Sequence, residues 1–519
     1  MSSKTSSGFD EIPPKLVKLC ASNLARPLTL IINKCFETGN FPKKLKLAKI
    51  SPIHKKGDWE PGNFRPISEL PTFSKIIEKA ANIQLRNYLE KTFDDKYQFA
   101  YRRSHSTIHP IIYSRQLIEE HLKKNHYVLL IMIDLSLAFD CIETSTILPE
   151  KLSHYGATAK TTAFFKNFFT GRTHLTNWFG ESSVTLELSN HSCVQGSCLG
   201  APIFNVYTRN LQSVTDCTIV SFADDTNVIV HHKNPNELIK LANQEIAEIS
   251  NFMAANYLLI NSKKTQCLLF TPKNKKPQDL KEKLMINGQE LQLVEQARYL
   301  GVTLDSKLSF KPQVNSLISK LNNATRALMA TRRLLNRRSK LLLYNALFKA
   351  NLEYGLIAYG DKLTTKQSNT ISKLQKQSIR LIFNAKPKVH TKKLYEISKI
   401  LPAKEAFKAE AMKLVFKNTN ELTRASQPKL ISNLINKSKK YRTTRLSQDP
   451  SKIQMKSKTP GTLIYKISKI WNEASQDLRN SGSYLTLNKA LKSTAISSLE
   501  ECKTPNCQTC LIDKDTKYI

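Results

Sequence analysis

Two adjacent carboxylates, Asp224 and Asp225, interrupt an otherwise apolar and β-rich stretch of the chain. The segments on either side, 218–221 and 227–230, are typical of two strands joined by a tight turn. Because like charges repel, a rigid hairpin that holds two carboxylates together usually has a cation beside them. A solvated acidic turn is the alternative interpretation, and the pair by itself does not exclude it.

A third carboxylate, Asp134, lies near the end of the apolar run 127–135, which predicts a strand buried on both faces. An ionised carboxylate at that position is costly unless a cation or hydrogen bonds compensate it. Carboxylate oxygens are the ligands that Mg²⁺ prefers, and two such ions can activate an attacking 3′-hydroxyl and stabilise a leaving pyrophosphate. Asp134 together with the pair Asp224 and Asp225 therefore favours a two-metal site for phosphoryl transfer.

The composition favours a polyanionic partner. The chain has 519 residues and a formal net charge of +37, from 79 Lys and Arg against 42 Asp and Glu, and nucleic acid is the commonest partner of such a protein. A membrane is the competing polyanion, but no apolar run approaches the roughly 20 residues of a spanning helix, and the N-terminus does not resemble a signal peptide. Ten cysteines without a framework spacing indicate reduced thiols and an intracellular protein of the cytoplasm or nucleus. Nothing in the sequence indicates an oligomeric state.

Helical and strand-like patterns alternate over the first 310 residues, which predicts an α+β core. Helical patterns cover 15–34, 74–91, 108–124, 145–170 and 238–256, a further helix is expected near Gly200, and strand-like runs cover 127–135, 174–194 and 258–270.

The segment 311–350 differs from the rest because it is helical in pattern and carries nine Lys or Arg with no Asp or Glu. A solvated surface is one interpretation. Solvated helices usually mix both signs of charge, so we favour a helical module that lies against a phosphate backbone.

Three segments surround the candidate ligands: 134–140, which ends in Ala-Phe-Asp, 195–200, which reads Gln-Gly-Ser-Cys-Leu-Gly, and 222–225, which reads Phe-Ala-Asp-Asp. They resemble motifs A, B and C of reverse transcriptases, in the form typical of non-LTR (LINE-type) retrotransposons. Other segments resemble further motifs of that group, and the resemblance spans residues 7 to about 310 in order and spacing. These segments are 8–13, 52–58, 63–68, 98–107, 261–265 and 298–302.

The resemblance implies a right-hand polymerase fold with fingers, a palm built on an antiparallel sheet, and a helical thumb. It implies fingers and palm in residues 1–310, the thumb in 311–362, and a basic, mainly helical region in 363–519 that is a candidate for nucleic-acid binding. The implied reaction is extension of a DNA primer on an RNA template from dNTP substrates, with two Mg²⁺ ions or Mn²⁺ as a substitute. The endonuclease domain of complete elements is expected to be missing.

The resemblance also implies a role for each motif residue. The metal would be bound by Asp134, Asp224, Asp225 and the Leu135 carbonyl, and the leaving pyrophosphate would be protonated by Lys264. The triphosphate would be bound by Lys55, Lys56 and Arg65, the nucleotide and template would be contacted by Gln195 and Gly196, and a 2′-hydroxyl would be excluded by Phe139. The primer grip would be formed by Tyr299, Leu300 and Gly301.

Some of these roles have structural alternatives. Phe139 could be a core aromatic residue, Lys55 and Lys56 a solvated turn pair, and Lys264 a surface lysine. His54, like the other histidines, is interpreted as structural.

For the whole chain, the alternative function is a catalytically silent, element-derived protein that only binds nucleic acid, and the intact carboxylate triad favours the polymerase. A nucleotidyl cyclase with a palm fold would not need the basic helices after residue 311. Cys502, Cys507 and Cys510 have a metal-like spacing, but three ligands without a following histidine do not predict zinc.

Overall fold

Helices and strands alternate along the chain, as the sequence predicted. The computed structural model describes residues 6–55, 57–60, 63–92, 97–275, 281–419, 435–437, 452–455 and 460–502. The strands are β1 (Leu47–His54), β2 (Phe64–Glu69), β3 (Tyr127–Ile133), β4 (Leu135–Ser136), β5 (Thr173–Trp178), β6 (Glu181–Ser182), β7 (Leu186–Glu187), β8 (Thr218–Phe222), β9 (Asp225–His232), β10 (Leu259–Ile260), β11 (Gln266–Phe270), β12 (Met285–Ile286), β13 (Gln289–Glu290), β14 (Gln296–Tyr299), β15 (Val302–Asp305), β16 (Ile435–Lys437) and β17 (Ile453–Met455). The helices are α1 (Pro14–Leu19), α2 (Ala21–Thr38), α3 (Thr72–Thr92), α4 (Ile108–Lys123), α5 (Ile147–His154), α6 (Ala159–Phe169), α7 (Gly200–Tyr207), α8 (Pro235–Ala255), α9 (Lys311–Ala330), α10 (Arg337–Leu343), α11 (Ala350–Glu353), α12 (Leu356–Tyr359), α13 (Thr365–Ile382), α14 (Lys392–Ser398), α15 (Ala406–Thr419), α16 (Leu463–Glu473), α17 (Gln476–Arg479) and α18 (Tyr484–Ser497).

The central sheet is antiparallel, with strand order β11, β3, β9, β8. Strand β3 is the predicted apolar run, and every residue of it except Met132 is buried. Each large apolar side chain buried there contributes about 1.5–3 kcal/mol. A slip of one residue would exchange the two faces of the strand, so the register is strongly specified.

Successive side chains of β3 point to opposite faces of the sheet, and each face has its own hydrophobic core. Val128 and Leu130 belong to a core that includes α4, α9 and α16. Leu129 and Ile131 belong to a second core, formed with helices α6, α7 and α8. The helices of both faces therefore hold the sheet that carries the candidate ligands.

A second sheet has the order β2, β1, β5, β6, with β7 also paired to β5. Strand β1 is antiparallel to β2 and parallel to β5. This sheet carries part of the segments 52–58 and 63–68, which contain Lys55, Lys56 and Arg65, the residues predicted to bind the triphosphate.

Two predicted elements are interrupted in the structure. The expected strand 258–270 consists of β10 and β11, because the Asn261 carbonyl accepts the N–H groups of Lys264 and Thr265 and closes a turn between them. The expected helix 145–170 consists of α5 and α6, because Gly156 takes a left-handed φ of 85° that ends the first helix. Both interruptions depend on local backbone conformations that hydrophobic periodicity does not report.

The basic segment 311–350 is helical, as predicted, in α9 and α10 followed by a π-helical turn. The buried Asp305 carboxylate fixes the entry to α9 by accepting three backbone N–H groups, from Lys307 at 3.2 Å, Ser309 at 3.0 Å and Phe310 at 2.6 Å. Seven of the nine basic side chains are exposed: Lys311, Lys320, Arg326, Arg332, Arg333, Arg337 and Arg338.

A buried ion network joins α4 to the C-terminal helices. The Arg115 guanidinium contacts Glu119 at 2.7 Å and Asp361 at 2.6 Å, and Lys466 of α16 contacts Asp361 at 2.7 Å. The Glu119 carboxylate also accepts the backbone N–H of Leu463 at 2.7 Å, at the start of α16. Helix α16 is therefore held against α4 by paired charges and by the capping carboxylate.

Candidate active site

The central sheet brings the three predicted metal ligands together. Strand β3 pairs with β9 so that Ile133 lies opposite Thr226, and the same register continued by one residue places Asp134 beside Asp225. Asp224 is at the tip of the β8–β9 hairpin, where Phe222 pairs with Asp225. Because neighbouring strands lie about 5 Å apart, three carboxylates that are distant in sequence share one end of the sheet.

Gln98 holds the tip of this hairpin. Ala223 has a φ of 58°, which is uncommon for a residue other than glycine. The Gln98 amide oxygen accepts the N–H groups of Ala223 and Ala100, each at 3.0 Å, and its nitrogen donates to the Ala223 carbonyl at 3.3 Å. Gln98 is buried, so these bonds are protected from water and fix the turn that carries Asp224.

Burial and neighbouring charges disfavour the ionisation of Asp134 and Asp225. Burial of the carboxyl group and the charges of Asp224 and Asp134 raise the pKa of Asp225 to about 6, although the residue as a whole is exposed. Burial also raises the pKa of Asp134; the nearby Lys264 lowers it and Asp224 raises it further. Burial and Asp224 together raise the pKa of the Tyr101 hydroxyl. Negative charge is thus concentrated at one point, as in sites that bind cations.

The donor set fits a hard divalent cation. Carboxylate oxygens from Asp134, Asp224 and Asp225 are the ligand type that Mg²⁺ takes. The raised pKa values of Asp134 and Asp225 are consistent with this fit, because a bound cation would offset the charge repulsion at both groups. Leu135, the predicted carbonyl ligand, follows Asp134 directly and pairs with Ile260 of β10.

The turn 261–265 fixes the backbone of Asp134. The Asn261 N–H donates to the Asp134 carbonyl at 2.8 Å, and the Asp134 N–H donates to Thr265 Oγ1 at 3.3 Å. Lys264 lies exposed in this turn, close enough for its charge to lower the pKa of Asp134. The structure therefore brings Lys264 to the carboxylates.

Gln195 and Gly196 connect the site to strand β2. The Gln195 side chain donates to Asp140 Oδ2 at 2.9 Å, and its carbonyl accepts the Ser68 N–H at 2.8 Å. Gly196 has a φ of 124°, and a Cβ there would lie 2.4 Å from the Ser68 carbonyl oxygen. Only glycine permits this close approach of the two backbones.

Gly196→Ala is expected to lower the free energy of unfolding by more than about 2 kcal/mol, because strain and a backbone clash add. Gly180→Ala is the matched control, since Gly180 also has a positive φ, of 93°, but no atom lies within 4 Å of its Cβ position. Denaturant unfolding of both variants measures the difference. Equal losses would show that the contact with Ser68 has no energetic effect.

The residues predicted to bind the nucleotide lie in different surroundings. Lys55 and Arg65 are exposed on the second sheet and its edge, and the charge of Lys55 opposes the effect of burial, which raises the pKa of Asp140. Lys56 lies outside the described residues. Phe139 is half-buried and its ring packs against Phe204 with centroids 5.0 Å apart, so it has core contacts and an accessible surface together.

The predicted primer grip is the tight turn between β14 and β15. Tyr299 pairs with Val302, and the two turn residues have positive φ values, 44° at Leu300 and 84° at Gly301, as a type I′ turn requires. The Tyr354 hydroxyl donates to the Leu300 carbonyl at 2.6 Å. The Tyr299 side chain is buried, so a nucleic-acid strand could reach this turn only at Leu300 and Gly301.

Residues 53–304 match the family described as reverse transcriptase (RNA-dependent DNA polymerase). The predicted site residues, from Lys55 to Gly301, all lie within this match. The chain carries a reverse transcriptase domain. The resemblance of the sequence motifs to reverse transcriptases of non-LTR retrotransposons is confirmed. The predicted fold class, an α+β, right-hand polymerase fold, is confirmed as well.

Curated relatives of this chain come from non-LTR retrotransposons. The probable RNA-directed DNA polymerase from transposon BS of Drosophila melanogaster is 26% identical over 359 residues, which cover 66% of this chain and 38% of the relative. The RNA-directed DNA polymerase from mobile element jockey of the same species is 26% identical over 408 residues, which cover 74% of this chain and 42% of the relative. The chain thus spans about two fifths of the length of these relatives.

Telomerases are among the similar solved structures. Apo telomerase from Candida tropicalis gives a TM-score of 0.39 at 12% identity, over 70% of this chain and 63% of that one. Telomerase from Candida albicans gives 0.37 at 12% identity, over 75% of this chain and 69% of that one. Similarity at this level adds nothing to the family match.

Two buried residues of the reverse transcriptase domain position its motifs and were given no role from the sequence. One is Gln98, which lies in the segment 98–107 that resembles a reverse transcriptase motif. The other is Glu78 of α3, whose carboxylate accepts Ser74 Oγ at 2.8 Å, Ser197 Oγ at 2.7 Å and the Cys198 N–H at 3.2 Å. A carboxylate on an amphipathic helix gives no sequence signal that it is buried.

Two further predictions concern membranes and zinc. Among the residues that the structure describes, no helix combines the length and the apolar character that crossing a bilayer demands. Cys507 and Cys510 lie outside the described residues, so the proposed absence of zinc at the C-terminal cysteines stays a prediction.

Proposed function

We propose that this chain is an RNA-directed DNA polymerase that extends a DNA primer on an RNA template. The observation that carries the proposal is the convergence of Asp134, Asp224 and Asp225 at one end of the central sheet of a reverse transcriptase domain. Curated relatives are named RNA-directed DNA polymerases. Because the chain spans only part of their length, the activity is a proposal for this chain.

Divalent ions, two Mg²⁺ or Mn²⁺ in their place, are proposed to be held by the three carboxylates and the Leu135 carbonyl. Such ions would activate the primer 3′-hydroxyl and stabilise the leaving pyrophosphate. The carboxylates of the protein supply the negative charge that holds them, and Lys264 is proposed to donate a proton to the pyrophosphate. Its effect on the pKa of Asp134 supports that position.

The incoming dNTP is proposed to lie between the two sheets. Lys55, Lys56 and Arg65 would bind its triphosphate by charge-assisted hydrogen bonds. Gln195 and Gly196 would face the nucleotide and template, a role supported by their connection to Ser68 on the strand that carries Arg65.

Phe139 is proposed to exclude ribonucleotides. Phe139→Val is expected to raise the ratio of ribonucleotide to deoxynucleotide kcat/KM by about ten- to a hundredfold, because a smaller side chain leaves room for a 2′-hydroxyl. Single-nucleotide incorporation with each substrate measures that ratio. Phe204→Leu is the control, since it alters the packing partner of Phe139 and leaves the ring in place; an unchanged ratio in Phe139→Val would identify Phe139 as a core residue.

The template and primer are proposed to lie along the exposed basic residues of α9 and α10, with the turn at Leu300 and Gly301 against the primer. Seven exposed cations without a neighbouring acid in the segment 311–350 support a phosphate-binding surface. The division into fingers and palm, thumb and C-terminal region, and the cytoplasmic or nuclear location, remain predictions.

A primer-extension assay on homopolymer RNA tests the function. We expect the unmodified chain to incorporate deoxynucleotides and Asp224→Asn to incorporate none. Binding of RNA without incorporation, with Mg²⁺ or with Mn²⁺, would support the alternative of a catalytically silent nucleic-acid-binding protein. Filter binding of the same RNA by Asp224→Asn is the control for folding.

A further inference from the structure

Three histidines meet at the end of the central sheet opposite to the carboxylates. His121 is in the last turn of α4, His126 is in the connection that follows it, and His231 is near the end of β9. One ring nitrogen of each lies within 4.8 Å of those of the others. Spacing in the sequence does not indicate the cluster, because pairing of β9 with β3 brings His231 to the other two.

The distances within the cluster are those of imidazoles that could share one ion. His126 Nδ1 lies 3.1 Å from His231 Nδ1, and the rings of His121 and His231 stack with centroids 3.5 Å apart. Two ligand nitrogens on a tetrahedral ion with metal–nitrogen bonds of about 2.1 Å are separated by about 3.4 Å. The stacked pair must splay to share an ion, because its ring planes are only 19° apart.

One ring nitrogen of His121 has no hydrogen-bond partner in the part of the chain that the structure describes. His121 Nδ1 is inaccessible to solvent and accepts or donates no hydrogen bond within the described residues. A buried polar atom without a partner costs about 1–3 kcal/mol. Its lone pair is therefore available for a ligand that the protein itself does not provide.

We propose that His121, His126 and His231 form a binding site for a divalent transition-metal ion of the zinc class, held by three imidazole nitrogens with a water molecule at the fourth position. Neutral nitrogen donors suit zinc, whereas Mg²⁺ takes oxygen donors, so this site and the carboxylate site select different ions. The neighbouring charges, Lys124, Lys233 and Lys275, are positive and repel any cation, so binding at this site would depend on coordination by the imidazole nitrogens.

The site would have a structural effect rather than a catalytic one. Asp225 and His231 are six residues apart on β9, which is about 20 Å along an extended strand. The ion would join the end of α4 to β9, and α4 carries the Arg115 network that holds α16. Metal binding is thus expected to stabilise the connection between the central sheet and α4.

Zinc binding by the full chain tests the proposal. The protein is stripped with a chelator and titrated with zinc in excess Mg²⁺, which occupies the carboxylate site. The expected result is one tightly bound zinc ion and a rise in Tm of a few degrees. His121→Gln and His231→Asn should each remove that ion, whereas the adjacent His232→Ala should retain it, because His232 Nδ1 is engaged with Asn234.

Cobalt substitution and chemical labelling distinguish this site from the cysteines. Co²⁺ should give tetrahedral d–d absorption without the thiolate charge-transfer band that Cys502 and its neighbours would produce. Zinc should protect His121, His126 and His231 of the unmodified chain from diethylpyrocarbonate, mapped by mass spectrometry, so the test does not depend on whether the variants fold. Equal zinc content in His231→Asn and the unmodified chain, a thiolate spectrum, or labelling unaffected by zinc would each overturn the proposal.

Discussion

Asp225→Asn is expected to abolish primer extension and, at the same time, to stabilise the metal-free protein at pH 8. Loss of a ligand to a catalytic ion removes several kcal/mol of transition-state stabilisation, so we expect a decrease in kcat/KM of at least about 10³-fold. Single-turnover extension measures this loss. RNA binding should be retained, because the carboxylate is expected to act on the ions and not on the template.

The gain in stability follows from the raised pKa of Asp225, about 6 against the 3.8 of an ordinary aspartate. An acid whose pKa is higher in the folded state stabilises the fold while it is protonated, so this contribution is full below about pH 4 and is lost as the pH rises through 6. Asparagine does not ionise, so the variant keeps at pH 8 the stabilising contribution that the unmodified protein loses when Asp225 ionises. Because the carboxylate is partly solvated, we expect a gain of about 1 kcal/mol.

Thermal unfolding in a chelator at pH 4 and pH 8 checks this expectation. The two proteins should converge at the lower pH, and addition of Mg²⁺ at pH 8 should raise the Tm of the unmodified protein more than that of Asp225→Asn. Asp216→Asn, a change of the same type at the other end of the β8 hairpin strand, is the control. A variant less stable than the unmodified protein at pH 8 would show that Asp225 has a stabilising partner.

Arg115→Met is expected to destabilise the chain by about 3–5 kcal/mol, because it leaves Glu119 and Asp361 in the interior without their shared cation. Burial by itself raises the pKa of Asp361, but hydrogen bonds and attraction from Arg115 and Lys466 outweigh it and lower the pKa to about 2. The side chains of Arg115 and Asp361 are 0% and 3% exposed, so water cannot replace the lost partner. Denaturant unfolding measures the loss.

The location of the loss is also predicted. Because Glu119 caps the first turn of α16, the segment 460–502 should become sensitive to limited proteolysis in Arg115→Met before the central sheet does. Lys240→Met is the control, since Lys240 and Glu237 form a surface pair in which both side chains are 51% exposed, and its loss should change stability by less than about 0.5 kcal/mol. Addition of Asp361→Leu to Arg115→Met should recover stability; an equal or larger loss would contradict a buried-charge penalty.

Much of the candidate site was predictable because its chemistry is local in sequence. Asp134 ends an apolar run, and Asp224 and Asp225 lie in the turn between two apolar strands, so type and spacing alone predicted their neighbourhood. Gly196 was predicted to permit a close approach, and its Cβ position faces the Ser68 carbonyl. Expectations failed where local backbone conformation decides, as at the turn 261–265 and at Gly156.

The sequence by itself determined the reverse transcriptase motifs, their order and the identity of the three acids. Only the tertiary structure decided which distant residues are neighbours. It set the register that places Asp134 beside Asp225, the buried position of Gln98 that fixes the hairpin tip, and the contact between His231 and His121. The physical reason is that side-chain type and periodicity are properties of neighbouring residues. Register and buried hydrogen bonds between distant segments depend on which faces the whole core can bury together.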